Sequence, residues 1–115
     1  NDFLAYCEKL KNIDLEPLSN VTSIGNDFLT YCEELQNIDL KPLSNVTSIK
    51  DSFLNKCKNL TSIDVGPLEN CESIGDNFLY ECDKLKSIEN MQIITKILDN
   101  DFYDNEHLER FITNT

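Results

Sequence analysis

The sequence predicts an α/β solenoid of about four stacked 25-residue coils, with short parallel strands and a C-terminal cap. Three observations carry that prediction. Near-copies of one 25-residue unit start at Asn1, Asn26, Asp51 and Asp76. The first two differ only at the pairs Ala5/Thr30, Lys9/Glu34, Lys11/Gln36, Glu16/Lys41 and Gly25/Lys50. Apolar residues recur at the same offsets: Phe3, Phe28, Phe53 and Phe78; Leu10, Leu35, Leu60 and Leu85; Ile13, Ile38, Ile63 and Ile88. Leu15, Leu40 and Val65 add a fourth column, and Ile24, Ile49 and Ile74 a fifth. A fixed period in this range marks an array in which each unit stacks on its neighbours.

The second copy shows the elements in order. Asn26 and Asp27 are helix-starting residues, since a short polar side chain accepts from free amides at a helix N-terminus. Phe28, Cys32 and Leu35 follow at i, i+4 and i+7, one face of a helix about two turns long. Asn37-Ile38-Asp39-Leu40 alternates polar and apolar and reads as a short strand with Ile38 and Leu40 inward. Pro42 ends it, because proline has no N–H for a ladder. Leu43 tucks in after the bend, and Val46-Thr47-Ser48-Ile49 forms a second extended segment. One such circuit shares its apolar flank with the next, so stacking is obligatory. After Asn90 the slots fail: Gln92 stands for proline and Lys96 for valine. Ile93, Ile94, Ile97, Leu98 and Phe102 suggest a divergent last coil or a helix. Leu108, Phe111 and Ile112 make one helical stripe. The expected division is therefore 1–90 solenoid and 91–115 divergent coil and helical cap.

Composition narrows the function classes. The net charge of −11 disfavours nucleic acid and anionic bilayers as partners. No stretch approaches the roughly 18 apolar residues that would read as a membrane span. The chain opens inside a repeat without an atypical capping unit, and it reads as a piece of a longer protein or assembly.

The recurring string LxxIDLxPLSNVTSIGxxFLxxC resembles the BspA-like, or Treponema-type, leucine-rich repeats. Leu35, Ile38, Leu40, Pro42, Val46, Thr47, Ser48 and Ile49 occupy the matching positions, followed by Phe53 and Cys57. Similarity extends over about residues 1–90. Two departures stand out: a longer unit with a Leu-x-Pro-Leu bend, and Asp, Ser or Asn before the phenylalanine where the family carries Ala. The resemblance implies a right-handed leucine-rich-repeat solenoid. It also implies cell-surface or secreted proteins of bacteria and protozoa, often proposed as adhesins, with intracellular or virion-associated placement left open.

Several features invite chemistry. Cys7, Cys32, Cys57 and Cys82 follow the repeat, and Cys71 takes the place of Val21 and Val46. Parallel stacking keeps Cβ atoms about 4.8 Å apart, beyond the roughly 3.5–4.5 Å a disulfide wants. Buried free thiols are expected. No CxxC pair suits zinc, and neither a metal nor a cofactor is expected. Asp99, Asp101, Asp104 and Glu106 fail the calcium-loop template, which puts Gly sixth and Glu twelfth; Asp104 and Arg110 stand there. Asn20, Asn45 and Asn59 head Asn-x-Thr triplets that read as turn residues or glycan acceptors. His107 is the single histidine and lies in the tail, and no triad or phosphate loop appears. No enzyme activity is expected.

The expected function is protein or glycan recognition through a repetitive face. Asp14, Asp39, Asp64 and Glu89 point away from the apolar side of the inner strand, and Asn12, Asn37, Ser62 and Ser87 flank them. They form the candidate partner-binding line on the concave face. Like charges at strand spacing repel, which argues mildly that the line is used. Against it, the slots on the convex side holding Ala5, Thr30, Asn55 and Tyr80, and Tyr6, Tyr31, Lys56 and Glu81, read as exposed and do vary, which weakly favours a convex contact. A structural or spacer role without a specific ligand is the alternative.

Overall fold

The computed structural model describes residues 9–97 together with 107, 108 and 111. Phe3, Ala5, Tyr6, Cys7, Leu98, Asp99, Asp101, Phe102, Asp104, Glu106, Arg110 and Ile112 fall outside the described residues.

Every ladder joins residues 25 apart. β1 (Ser23–Ile24), β2 (Ser48–Ile49) and β4 (Ser73–Ile74) form a parallel sheet in the order β1-β2-β4. Ser23 is level with Ser48 and Ser73, and Ile24 with Ile49 and Ile74. β3 (Ser62–Asp64) and β5 (Ser87–Glu89) make a second parallel pair that aligns Ser62 with Ser87, Ile63 with Ile88 and Asp64 with Glu89. In the second coil the expected strand at Asn37–Leu40 is not paired as a ladder. Its tie to the next coil is one long bond, Thr61 N–H to Gln36 O at 3.4 Å, near the limit of useful geometry.

The proline bend is a 3-10 turn in three coils: Glu16–Leu18, Lys41–Leu43 and Gly66–Leu68. Proline sits in its first residues, where a missing N–H costs nothing. The turn closes by Leu18, Leu43 and Leu68 N–H donating to Leu15, Leu40 and Val65 carbonyls. That folds Leu43 and Leu68 fully inside.

The expected helix from Asn26 to Leu35 does not form. Asp27, Leu29 and Tyr31 have φ of 63°, 56° and 62°, and Ser52, Leu54 and Lys56 repeat this at 66°, 54° and 62°. Asn77, Leu79 and Glu81 do so again. Left-handed residues at every second position cannot build a right-handed helix. They turn the amides along the stack instead. Asp27 and Tyr31 N–H donate forward to Asp51 and Asn55 carbonyls at 2.9 and 2.8 Å. Leu54 N–H donates back to Phe28 O at 2.9 Å, and Leu79 to Phe53 O at 2.9 Å. Asn26 caps no helix either; its Oδ1 accepts from Asp51 N–H of the next coil at 3.1 Å. Burial is correspondingly wider than one helical face, because Leu29, Leu54 and Leu79 are buried beside Phe28, Cys32 and Leu35.

The core is a set of columns. Phe28, Phe53 and Phe78 stack with centroids 5.5 and 5.2 Å apart and planes within 10° and 6°. Cys32, Cys57, Cys71 and Cys82 are buried free thiols. At the far end α1 (Met91–Ile97) buries Met91 and Ile94, and Leu108 and Phe111 join the same core.

Candidate binding surfaces

The acidic line has a structural origin. The 3-10 turn leaves the amide of its first residue without an intrahelical acceptor. An Asp two residues earlier supplies one: Asp14 Oδ1 accepts from Glu16 N–H at 3.0 Å, Asp39 from Lys41 at 2.9 Å, and Asp64 from Gly66 at 2.8 Å. Asp64 Oδ1 also takes the Asn90 side-chain amide at 2.8 Å. The Asn90 bond, then the Gly66 amide, holds the Asp64 carboxyl below its ordinary value. A Cβ on Gly66 would lie 2.9 Å from Asn90 Nδ2, so Asn90 fits where Glu16 and Lys41 give way to glycine. Repetition of Asp is thus explained by the bend, whatever else the row does.

All four acids are exposed, as are Asn12, Asn37 and Ser87, while Ser62 is half-buried. Asp64 and Glu89 are in register, so these two carboxylate-bearing residues follow each other at coil spacing. Glu89 is followed by Asn90 at φ 64° and α1 instead of a proline bend. Beside the row, Lys11, Asn12, Glu34, Gln36, Asn37 and Asn59 line a shallow polar cleft.

The variable slots opposite are not uniformly exposed, contrary to the sequence reading. Thr30 is buried, and its Oγ1 donates to Asn55 O at 3.1 Å. Asn55 is half-buried, and among the described residues of this slot only Tyr80 is open. The next slot is a chain of pairs between coils. Lys56 Nζ donates to the Tyr31 hydroxyl at 2.8 Å and lies 3.8 Å from Glu81 Oε1. The Tyr31 bond, more than the nearby Glu81, raises the Lys56 amine above its ordinary value. Lys58 and Asp83 pair at 3.1 Å. Variation here follows complementarity between successive coils, which removes its weight as a sign of an outside partner.

Two further side chains are tied down by the stack. Asn45 and Asn70 donate their amide nitrogens to Ser19 and Ser44 carbonyls at 3.1 and 3.0 Å, so the Asn45 nitrogen serves the turn. His107, which sequence reasoning set aside, has Nε2 2.6 Å from Phe78 O and its ring edge-on to Tyr80. Two of the thiols are inert in kind: desolvation by burial pushes Cys57 and Cys71 up, opposite to the lowered value of a reactive cysteine. Among the described residues no three His, Cys, Asp or Glu side chains come together to hold a metal. No described helix is long and apolar enough to cross a membrane.

Residues 1–114 match the family model for the BspA type leucine rich repeat region, in six copies. Comparison with curated proteins and with solved structures returns no match.

Proposed function

We propose, since the chain belongs to the BspA-type leucine-rich repeat family, that it is a non-enzymatic protein-interaction module. Its contact face is the row Asp14, Asp39, Asp64 and Glu89 with Asn12, Asn37, Ser62 and Ser87. The supporting observation is that the four acids are exposed at one repeated slot, Asp64 directly in register with Glu89. A solenoid offers stacked equivalents of one residue set, which suits an extended partner. A carboxylate at each step suits a segment rich in Lys and Arg, through charge-assisted hydrogen bonds. A glycan partner would use the flanking Asn and Ser side chains. The finer architecture belongs to the same reading: a right-handed solenoid of about four coils, with residues 91–115 covering the last one. The family is typically surface or secreted, and adhesion at a cell surface is the setting this proposal takes.

The spacer reading draws on a different observation. Asp14, Asp39 and Asp64 each serve the bend, and Lys56–Glu81 and Lys58–Asp83 join coils. Asn substitutions separate the two readings, because Asn keeps the Oδ1 acceptor and loses the charge. A fluorescent Lys- and Arg-rich peptide of about twelve residues, titrated at two salt concentrations, should bind wild type more weakly at high salt. Asp39→Asn with Asp64→Asn should lose most of that binding while folding normally. Equal binding by the double variant removes the acidic row, and no binding by wild type favours the spacer.

A further inference from the structure

The inner segment of the second coil is looser than its later copies, although a coil stands on either side of it. Ser62–Asp64 and Ser87–Glu89 pair as a ladder with Ile63 and Ile88 buried, whereas Ile38 in the same slot is half-buried. Backbone N–H and C=O groups of Asn37 and Ile38 find no hydrogen-bond partner among the described residues. The slot residue accounts for the difference. Asn12 and Asn37 head the two unpaired segments, and Ser62 and Ser87 the two paired ones; Asn is depleted in strands. A cleft opens where the ladder is missing. Lys11, Asn12, Glu34, Gln36, Asn37 and Asn59 line about 280 Å³, at the lower edge of the roughly 300–1,000 Å³ of ligand sites. The side-chain amides of Asn12, Gln36, Asn37 and Asn59 also lack a hydrogen-bond partner among the described residues. Lys11 and Glu34 stand 4.0 Å apart, so the lining carries one charge of each sign.

We propose that this cleft binds a single neutral sugar ring. The idea deepens the function proposed above, on which it rests, by naming a ligand for the Asn side of the contact face. An amide side chain both donates and accepts, and so does a hydroxyl. Four amides beside open backbone groups therefore match a ring of hydroxyls. Paired Lys11 and Glu34 leave no charge to select an ion, and the net charge of −11 disfavours an anionic sugar. The volume admits one ring. A further strand is excluded, because Thr47 N–H to Thr22 O at 2.8 Å and Lys50 N–H to Ile24 O at 3.0 Å hold the flanking coils at strand spacing. A bound ring replaces several loosely held waters at once. The lining residues include no aromatic platform, so millimolar affinity is expected.

Methyl glycosides of glucose, galactose, mannose and N-acetylglucosamine are the probes, with sialic acid as the charged control. Titrated into the isotope-labelled chain, at least one neutral glycoside should saturably shift the side-chain amide signals of Gln36, Asn37 and Asn59 in nuclear magnetic resonance spectra. Sialic acid should not. Gln36→Met and Asn59→Leu keep the side-chain shape and remove one amide each. Either should weaken binding roughly fivefold or more, the worth of one hydrogen bond, while circular dichroism stays unchanged. No saturable shift at high-millimolar sugar, binding by both variants equal to wild type, or binding of sialic acid overturns the proposal. Asp39→Asn with Asp64→Asn should leave sugar binding unchanged. Basic-peptide binding without sugar binding would therefore remove the cleft alone, and sugar binding without peptide binding would keep the cleft and remove the acidic row alone.

Discussion

His107 Nε2 donates to the carbonyl of Phe78 across 2.6 Å, in the place where Leu54 and Leu79 N–H serve the carbonyls of Phe28 and Phe53. A side chain thus does for Phe78 what a neighbouring coil's backbone does for Phe28 and Phe53. The carbonyl can only accept, so Nε2 carries the proton.

Removing that donor should loosen the end of the stack. His107→Ala is expected to destabilise by about 0.5–1.5 kcal/mol, the usual net worth of one hydrogen bond. His107→Gln, which keeps an N–H donor, should recover part of the loss. Urea unfolding midpoints measure both. Equal midpoints for Ala and wild type would mean that the bond does no structural work.

Cys57 Sγ donates to Leu29 O at 3.2 Å, and Cys82 repeats this with Leu54 O. The slot thus wants a small apolar group with a weak donor, which a thiol is. Cys57→Ala should cost about 1–2 kcal/mol from the cavity and the lost bond. Burial raises the folded-state value of Cys57 above the ordinary 9.0. Its contribution is therefore complete below about pH 9 and declines as pH rises above it. The slope is about 1.4 kcal/mol per pH unit per thiol. Wild type and Cys57→Ala should converge in urea stability between pH 8 and pH 10. A constant gap across that interval would contradict burial of a neutral thiol.

Ser52 stands at φ 66° and gives its N–H to Asp76 O at 2.8 Å. A β-branched residue tolerates that conformation poorly, while glycine adopts it freely. Ser52→Val should lose about 1–2 kcal/mol, and Ser52→Gly should stay near wild type in thermal unfolding. The opposite order would argue for an ordinary helical turn after all.

Asp64 joins Gly66 N–H and Asn90 Nδ2 at one oxygen. Asp64→Ala should cost about 1–2 kcal/mol through two lost bonds, and Asp64→Asn appreciably less. The folded-state value lies below the ordinary 3.8, so this contribution is present above that pH and is lost as pH falls through the lowered value. Wild type should therefore approach Asp64→Ala under acid, read by urea titration at pH 7 and below pH 3. A difference that persists unchanged in acid would exclude the carboxylate as its source.

Much of this was legible before any coordinates. Phe28, Phe53 and Phe78 stack as the period implies, the four described cysteines are buried free thiols, and Ser48–Ile49 pairs in parallel with its copies. Leu29 was missed because a helical face excludes i+1, and only the left-handed backbone turns that residue inward. The role of Asp39 was missed as well: alternation places it outside a strand but says nothing of the Lys41 amide that it closes. His107 left no periodic signal, since a single side chain standing in for a coil occurs once.

The amino-acid order alone determined the 25-residue spacing, which residues share a column, and that each coil needs its neighbour to bury its apolar side. Those follow from composition repeated at fixed intervals. Tertiary structure decided how the backbone runs between Asn26 and Leu35, and which polar groups the stack consumes. Local propensity favours a helix there, but amide partners in the adjacent coil and burial of Leu29 and Leu54 outweigh it, and those partners lie 24 to 26 residues away in the chain.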